Sequence, residues 1–371
     1  MFFYIFIFVI LSLLALLSQN RSAKDQRLLG IISAIIVVCV QGFRWRTGTD
    51  WEAYYDCFIY SNRFQVEYVE WGYYMFNRII RYLTASYTIF LLIQCGLIAF
   101  CHFKIAEHFQ VKNVALVMLC SFASTPFPVR FTMAVSIFLL AYRYVEERNL
   151  TKFLVFYIAA SMCHQIVALT LPVYFICHKQ YSNKFIYIAY AVCCGLGLLT
   201  EYVFSNMLNG LALIFNLLPE FSQDKASAYM IESDEERSLI STILSFLNGA
   251  FFIFLFTKVK DKFYSSNNKF NILLNMYVFG LCFGRVVIGA VPYLSRINVC
   301  LAGGFTLMIY LSILSFKTSK RSTTGFVQKL LILLFILYIS VSYFGKVNGE
   351  FDDLYIPYFS IFSSTQRIIV Y

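Results

Sequence analysis

Charge is scarce in this chain. Asp, Glu, Lys and Arg make up 13% of its 371 residues, against about one quarter in soluble globular domains. Set beside 60% hydrophobic residues and 40 Phe, that deficit excludes an ordinary water-soluble protein. Histidine is rarer still, with four in all. His102, His108 and His178 fall near the ends that the charge pattern assigns to the cytoplasm. No His/Cys/Asp cluster has ligand spacing on the opposite face, so no metal site is expected. Asp352 and Asp353 read as a solvated tail. A Walker-type glycine loop is missing, so no nucleotide or other cofactor is expected. Internal repeats and low-complexity linkers are missing too. With 6 Pro and 17 Gly, helix breakers are in modest supply, which counts against a repeat-built transporter.

What is present is hydrocarbon in runs. Apolar stretches lie near 1–18, 28–43, 87–103, 113–125, 131–145, 152–163, 165–177, 184–200, 239–257, 270–291, 297–316 and 329–345. The reading is an all-α, polytopic integral membrane protein with about twelve transmembrane segments. Several runs fall short of the roughly 20 residues that a span needs, so some are expected to be short, broken or re-entrant. The first run lacks a basic start and a small-residue cleavage site before Arg21, and is kept as a span. Of the 11 Cys, all but Cys57 sit in or beside apolar runs, where thiols act as small hydrophobes. No disulfide framework is implied.

Lys and Arg give the orientation. If Arg21, Lys24 and Arg27 are cytoplasmic, the even-numbered connections put most of the other basic residues on the same side, among them Lys104, Lys112, Arg143, Arg148, Lys258, Lys262 and Lys317. The positive-inside rule then places both chain ends outside. The net charge of +10 is thus a topology signal rather than a nucleic-acid footprint, and juxtamembrane Lys favours anionic lipid. The chain reads as one polytopic domain, 1–371, with long outer segments at about 44–86 and 201–238 and an outer tail at 346–371. Residues 67–81 read as an amphipathic helix at headgroup level. Leu208 to Leu218 is apolar but too short to span, and Asp234-Glu235-Glu236 closes that loop with charge.

Just past the second run comes Arg44-Trp45-Arg46-Thr47-Gly48-Thr49-Asp50-Trp51-Glu52-Ala53-Tyr54. Charge gathered at the lip of a membrane segment is costly, and it persists where it binds or reacts with something. The pattern Arg-x-x-x-Gly-Thr-Asp-x-x-x-Tyr, carried by Arg44, Gly48, Thr49, Asp50 and Tyr54 with Arg46 as an alternative first Arg, resembles the entry motif of bacterial polysaccharide polymerases of the EpsG and Wzy type. Glu70, Gly72, Tyr73 and Asn77 are similar to the family's Glu-x-Gly-aromatic segment. Arg130, the basic turn from Arg143 to Lys152, and His164 fit its middle layout. Leu294-Ser295-Arg296-Ile297 and Ile356-Pro357-Tyr358 are similar to its final elements.

The resemblance implies a glycosyltransferase on the periplasmic face of the bacterial inner membrane, joining polyprenyl-diphosphate-linked oligosaccharide repeats into O-antigen or a related polymer. Donor and acceptor are both lipid-linked. Membrane lipid, a chain-length regulator and a flippase are the further partners it suggests. A lipid-linked oligosaccharide flippase, an O-antigen ligase and a membrane acyltransferase are the rival readings.

That chemistry asks for charge stabilisation of the departing diphosphate, which arginine provides through its fixed fork of donors. Arg44, Arg46, Arg130, Arg285 and Arg296 are the candidates. Arg285 lies inside an apolar run, where an unpaired cation costs at least about 2.5 kcal/mol; a snorkelling Arg or an ion pair with Asp50, Glu52 or Glu201 is the structural alternative. Asp50 and His164 are the candidate bases for the acceptor hydroxyl. Asp50, beside Arg44 and Arg46, is expected to stay ionised, or else to orient an Arg or bind sugar hydroxyls. A lone His beside an apolar face is also commonly structural. Tyr54, with Trp45, Trp51, Tyr55, Trp71, Tyr73 and Tyr74, supplies rings for sugars or for an interfacial aromatic belt.

Overall fold

The computed structural model describes residues 1–61, 69–215, 239–265, 267–287, 292–318, 321–349 and 352–363. Every apolar run named above carries helix, and among the described residues there is no β-strand, only an isolated bridge between Arg44 and Ser360. In chain order the helices are α1 (Phe2–Ser18), α2 (Ala23–Gly42), α3 (Trp51–Ile59), α4 (Trp71–Leu83), α5 (Tyr87–His108), α6 (Val114–Ser124), α7 (Arg130–Glu146), α8 (Leu150–Cys163), α9 (Val173–Ile176), α10 (Asn183–Phe215), α11 (Leu239–Phe263), α12 (Asn268–Val287), α13 (Arg296–Leu301), α14 (Phe305–Ser315), α15 (Arg321–Val347) and α16 (Asp352–Tyr355).

Local chemistry sets the boundaries. Ser22 caps α2 through the Asp25 N–H (3.2 Å), and Asn113 caps α6 through the Leu116 N–H (3.1 Å). Pro126 and Pro128 end α6 and delay α7 until Arg130, because the residue before a proline is pushed out of helical conformation.

Among the described residues, five stretches are long and apolar enough to cross a bilayer: Tyr87–His108, Ile240–Phe263, Asn268–Val287, Arg296–Ser315 and Ser322–Val347. The fourth is interrupted by a 3-10 turn at Ala302–Gly304. Others are short; α6, at 11 residues, rises only about 16 Å against a hydrocarbon core of about 30 Å. The run 165–177 is not one helix but a 3-10 turn, Gln165–Thr170, followed by the four-residue α9. Residues 201–215 of the expected second outer segment continue α10. The rest of that segment, with Asp234-Glu235-Glu236, and residues 67 and 68 of the amphipathic segment lie outside the described residues. Its remainder forms α4.

The helices group into two compact units. The first comprises Met1–Leu140, Met162–His164 and Ile309–Tyr371; the second comprises Ala141–Ser161 and Gln165–Met308. In the first unit α1, α2, α5, α6 and α15 pack together around Phe8, Phe122 and Tyr343. Its basic connections gather at one end: the Gln19 amide donates to Gln328 (3.0 Å), Asn113 donates to the Ala15 carbonyl (2.9 Å), and Arg27 faces Glu107 (3.8 Å). At the other end the Tyr4 hydroxyl donates to the Tyr355 carbonyl (2.6 Å) and Lys346 to the Ser124 carbonyl (2.7 Å).

In the second unit α10, α11 and α13 pack on α12, around Phe252, Phe256, Tyr277 and Phe305. Its basic turns also share one end, where the Asn275 amide donates to the Cys177 and Lys179 carbonyls (2.8 Å each) and Asn271 donates to Lys179 (3.0 Å).

Candidate functional site

The segment between α2 and α3 is a tight loop. Arg46 (φ 44°), Gly48 (φ 96°) and Asp50 (φ 59°) all take left-handed backbone, which is costly for the two non-glycine residues and recurs at functional sites. Gly48 is obligatory on a second count, since an added Cβ would sit 3.0 Å from the Phe127 ring. The chain's own tail holds this loop. Trp45 N–H donates to the Phe359 carbonyl (3.0 Å), Gly48 N–H to the Leu354 carbonyl (2.8 Å), and Ile361 N–H to the Phe43 carbonyl (3.0 Å). The Thr47 hydroxyl donates to the Trp45 carbonyl (2.9 Å) and accepts from the Phe359 N–H (3.1 Å), and the Tyr358 hydroxyl donates to the Val40 carbonyl (2.8 Å). The entry motif and the Ile356-Pro357-Tyr358 segment, far apart in sequence, are therefore one structure.

Arg44 is built into it. The side chain is 2% exposed, donates to the Pro128 carbonyl (3.1 Å) and lies over the Phe127 ring (5.1 Å). Arg46 pairs with Glu52 (3.2 Å). Arg44, Arg46 and Asp50 share this loop, with Arg44 turned to Pro128 and Arg46 to Glu52. Asp50 stands exposed at the N-cap of α3 without a side-chain capping bond, and the group that feels its charge is Tyr54.

Tyr54 leads to the chemical centre of this unit. The Arg130 guanidinium lies near enough for its charge to act on the Tyr54 phenol, and Arg130 donates to the Glu70 carboxylate. The side chains of Arg130 and Glu70 are 10% and 13% exposed, so the pair is largely withdrawn from solvent. Burial holds the Tyr54 phenol protonated, pushing it up to about 12 despite the opposing pull of Arg130. Tyr73 packs edge-on against Tyr54 (5.8 Å), and burial raises its phenol well above the ordinary value.

Arg130 opens α7, the end where a helix dipole disfavours a cation, so local helix stability does not explain it. Glu70, at the N-cap of α4, carries the compensating charge. Sequence reasoning placed Glu70 in the framework of a motif and not in the site. The signal was there: a buried Arg needs a carboxylate.

Gly72 makes the juxtaposition feasible. A Cβ there would lie 2.6 Å from Met162 Cβ and 2.7 Å from its carbonyl oxygen. Only glycine lets α4 approach the end of α8, two residues before His164. His164 is 2% exposed and meets the Phe131 ring at 4.9 Å. The first unit therefore brings Asp50, Tyr54, Glu70, Arg130 and His164 to the junction of α3, α4, α7 and α8.

Of the aromatics, Trp51 is buried and stacked on Tyr55 (5.0 Å) beside Tyr87 (5.4 Å), a structural core rather than an open sugar platform. Trp71 is half exposed.

Arg285 and Arg296 belong to the second unit. Arg285 donates to the Ser245 hydroxyl (2.8 Å) and carbonyl (2.7 Å) and lies over Phe246 (4.9 Å). Among the described residues of its own unit no carboxylate pairs with it, and the side chain of Glu201 lies outside the described ones. Arg296 opens α13. Gly284, next to Arg285, packs on Asn298, two residues past Arg296 (3.2 Å from an added Cβ), so the backbones of both arginines lie toward the same end of the α12–α13 pair. Among the described residues no group of three His, Cys, Asp or Glu side chains is arranged to hold a metal ion.

The apolar helices define a multi-pass membrane protein, and its first unit carries a left-handed, tail-clamped loop beside a buried Arg130–Glu70 pair. No curated protein and no solved structure matches the chain. The family comparison is positive: the model of the EpsG family matches residues 27–360, most of the length, and the chain belongs to this Wzy-like polymerase family.

Proposed function

We propose that this chain is a membrane glycosyltransferase that polymerises polyprenyl-diphosphate-linked oligosaccharide repeats into O-antigen or a related surface polysaccharide at the periplasmic face of the bacterial inner membrane. The observation that carries the reading is the largely buried Arg130, paired with Glu70 beside Tyr54 against the preference of its own helix end. Such a fixed cation suits a charge that develops during reaction. Family membership supports polymerisation as the reaction. The clustering of basic turns at one end of each unit supports reading those ends as cytoplasmic.

In the proposed step the acceptor hydroxyl attacks the anomeric carbon of the donor sugar. The new carbon–oxygen bond forms as the bond to the diphosphate oxygen breaks, and the electron pair leaves with the polyprenyl diphosphate. The hydroxyl proton passes to Asp50, the exposed carboxylate of the left-handed loop. Arg130 holds a diphosphate oxygen, and Tyr54 orients it. His164, buried behind Phe131, positions the start of α7. Arg44 and Arg46 hold the loop. In the second unit Arg285 and Arg296 are the cationic candidates for the diphosphate.

The test is a variant series in cells. Arg130→Ala, Asp50→Asn, Arg285→Ala and Arg296→Ala are each expected to abolish long chains on a polysaccharide gel while membrane insertion persists. Normal chain lengths in Arg130→Ala would remove the proposed role of the cluster. Normal lengths in both second-unit variants would remove the diphosphate assignment there.

A further inference from the structure

A groove runs along the surface of the first unit between α2 and α5, with its charged mouth at the end of α2 away from the Arg44 loop. Its volume is about 450 Å³. Ile31, Ile35 and Val38 form one wall and Phe100 and Phe103 the other, over a floor of small residues that includes Gly96 and Ala99. Charge is confined to one end. There Glu107 lies between Lys104 (3.0 Å) and Arg27 (3.8 Å), all three exposed. This is also the end where the basic connections of the unit gather.

The dimensions point to an occupant. From Arg27 to Cys39 the groove follows 13 residues of α2, 12 helical steps or about 18 Å at a rise of 1.5 Å per residue. One leaflet of the hydrocarbon core is about 15 Å deep. The groove is therefore one leaflet long, apolar along its length and cationic at its mouth, where two basic side chains face one carboxylate. An open apolar trough on a membrane helix pair is filled by lipid, and charge at headgroup depth selects which one.

We infer that the α2–α5 groove is a binding site for an anionic phospholipid of the leaflet at the basic end, with an acyl chain along Ile31–Val38 and Gly96–Phe103 and its phosphate on Arg27 and Lys104. The site is separate from the polymerisation chemistry, whose lipid-linked substrate needs its diphosphate at the opposite end of the unit. Gly96 offers an unusually clean probe. A Cβ added there meets nothing within 4 Å, so a larger side chain enters the groove without disturbing the helix pair.

The experiment reconstitutes the full chain in phosphatidylcholine vesicles carrying a minor fraction of phosphatidylglycerol, then counts retained lipids by native mass spectrometry. The wild type is expected to retain one phosphatidylglycerol per chain, enriched over its share of the vesicle. Gly96→Leu should lose the retained lipid, whereas Gly96→Ala should keep it. Arg27→Gln with Lys104→Gln, at exposed positions that leave the packing untouched, should keep a lipid but lose the preference for phosphatidylglycerol. Retention in the wild type without headgroup preference, or retention unchanged by Gly96→Leu, would overturn the assignment. So would displacement of phosphatidylglycerol by a polyprenyl phosphate added to the same vesicles.

Discussion

Arg130 and Glu70, sixty residues apart, form a largely buried ion pair that ties the first residue of α7 to the N-cap of α4. Removing one partner of such a pair leaves an uncompensated charge and typically costs about 3–5 kcal/mol, whereas replacing both with apolar groups is far better tolerated. Thermal unfolding in detergent should therefore rank Arg130→Met as less stable than Arg130→Met combined with Glu70→Met. Both proteins should lack polymer synthesis. Equal losses in the single and double variants would show that the two side chains are not coupled.

Gly72 tests how the site is assembled. Its Cβ would collide with the Met162 side chain and carbonyl, and backbone cannot yield as a flexible side chain can. Overpacking of this kind costs about 1–3 kcal/mol. Gly72→Ala should lower both stability and chain length, while Gly345→Ala, where an added Cβ meets nothing within 4 Å, should leave chain length unchanged. An unaffected Gly72→Ala protein would contradict the close approach of α4 to α8.

The tail clamp predicts a long-range effect on the loop. Thr47→Val removes a hydroxyl that bonds with both Trp45 and Phe359, and leaving such groups unmatched costs about 1–3 kcal/mol. Hydrogen exchange should rise together at residues 44–50 and 354–361 in this variant. A rise on one side alone would mean that the two segments are held independently.

Burial raises the Tyr54 phenol from its ordinary 10.0 to about 12. A proton held more tightly in the folded state contributes stability that is fully present below pH 10 and declines as the pH climbs toward about 12. Spectrophotometric titration of the wild type against Tyr54→Phe should reveal one late-titrating phenol. At neutral pH Tyr54 stays protonated, so the pH profile of polymerisation should keep its shape in Tyr54→Phe even where the rate falls.

Much of this molecule was legible in its sequence, for a physical reason. Apolar runs in a charge-poor chain have few alternatives to helix, and each one formed helix. Length was harder to read: 165–177 breaks into a 3-10 turn and a short helix, and α10 runs on through Phe215, past the end of its apolar run. In the site, Arg130, Tyr54 and His164 emerged as candidates, and they do meet at one junction. Glu70 did not emerge, because a carboxylate in an amphipathic segment resembles a solvated face until its partner, sixty positions away, is seen beside it. The pairing of Arg46 with Glu52 was equally hidden, since it depends on left-handed backbone at residues 46 and 50. Nor does sequence spacing show that residues 354–361 brace the loop after α2.

Reconstitution of the purified chain separates polymerisation from transport. The protein in lipid vesicles would be given a polyprenyl-diphosphate-linked repeat, with EDTA present and nucleotide omitted, and the products run on a gel beside those of Arg130→Ala. The account predicts a ladder of increasing length from the wild type and unextended repeat from the variant. Movement of labelled lipid-linked repeat between leaflets, with no ladder from the wild type, would contradict it.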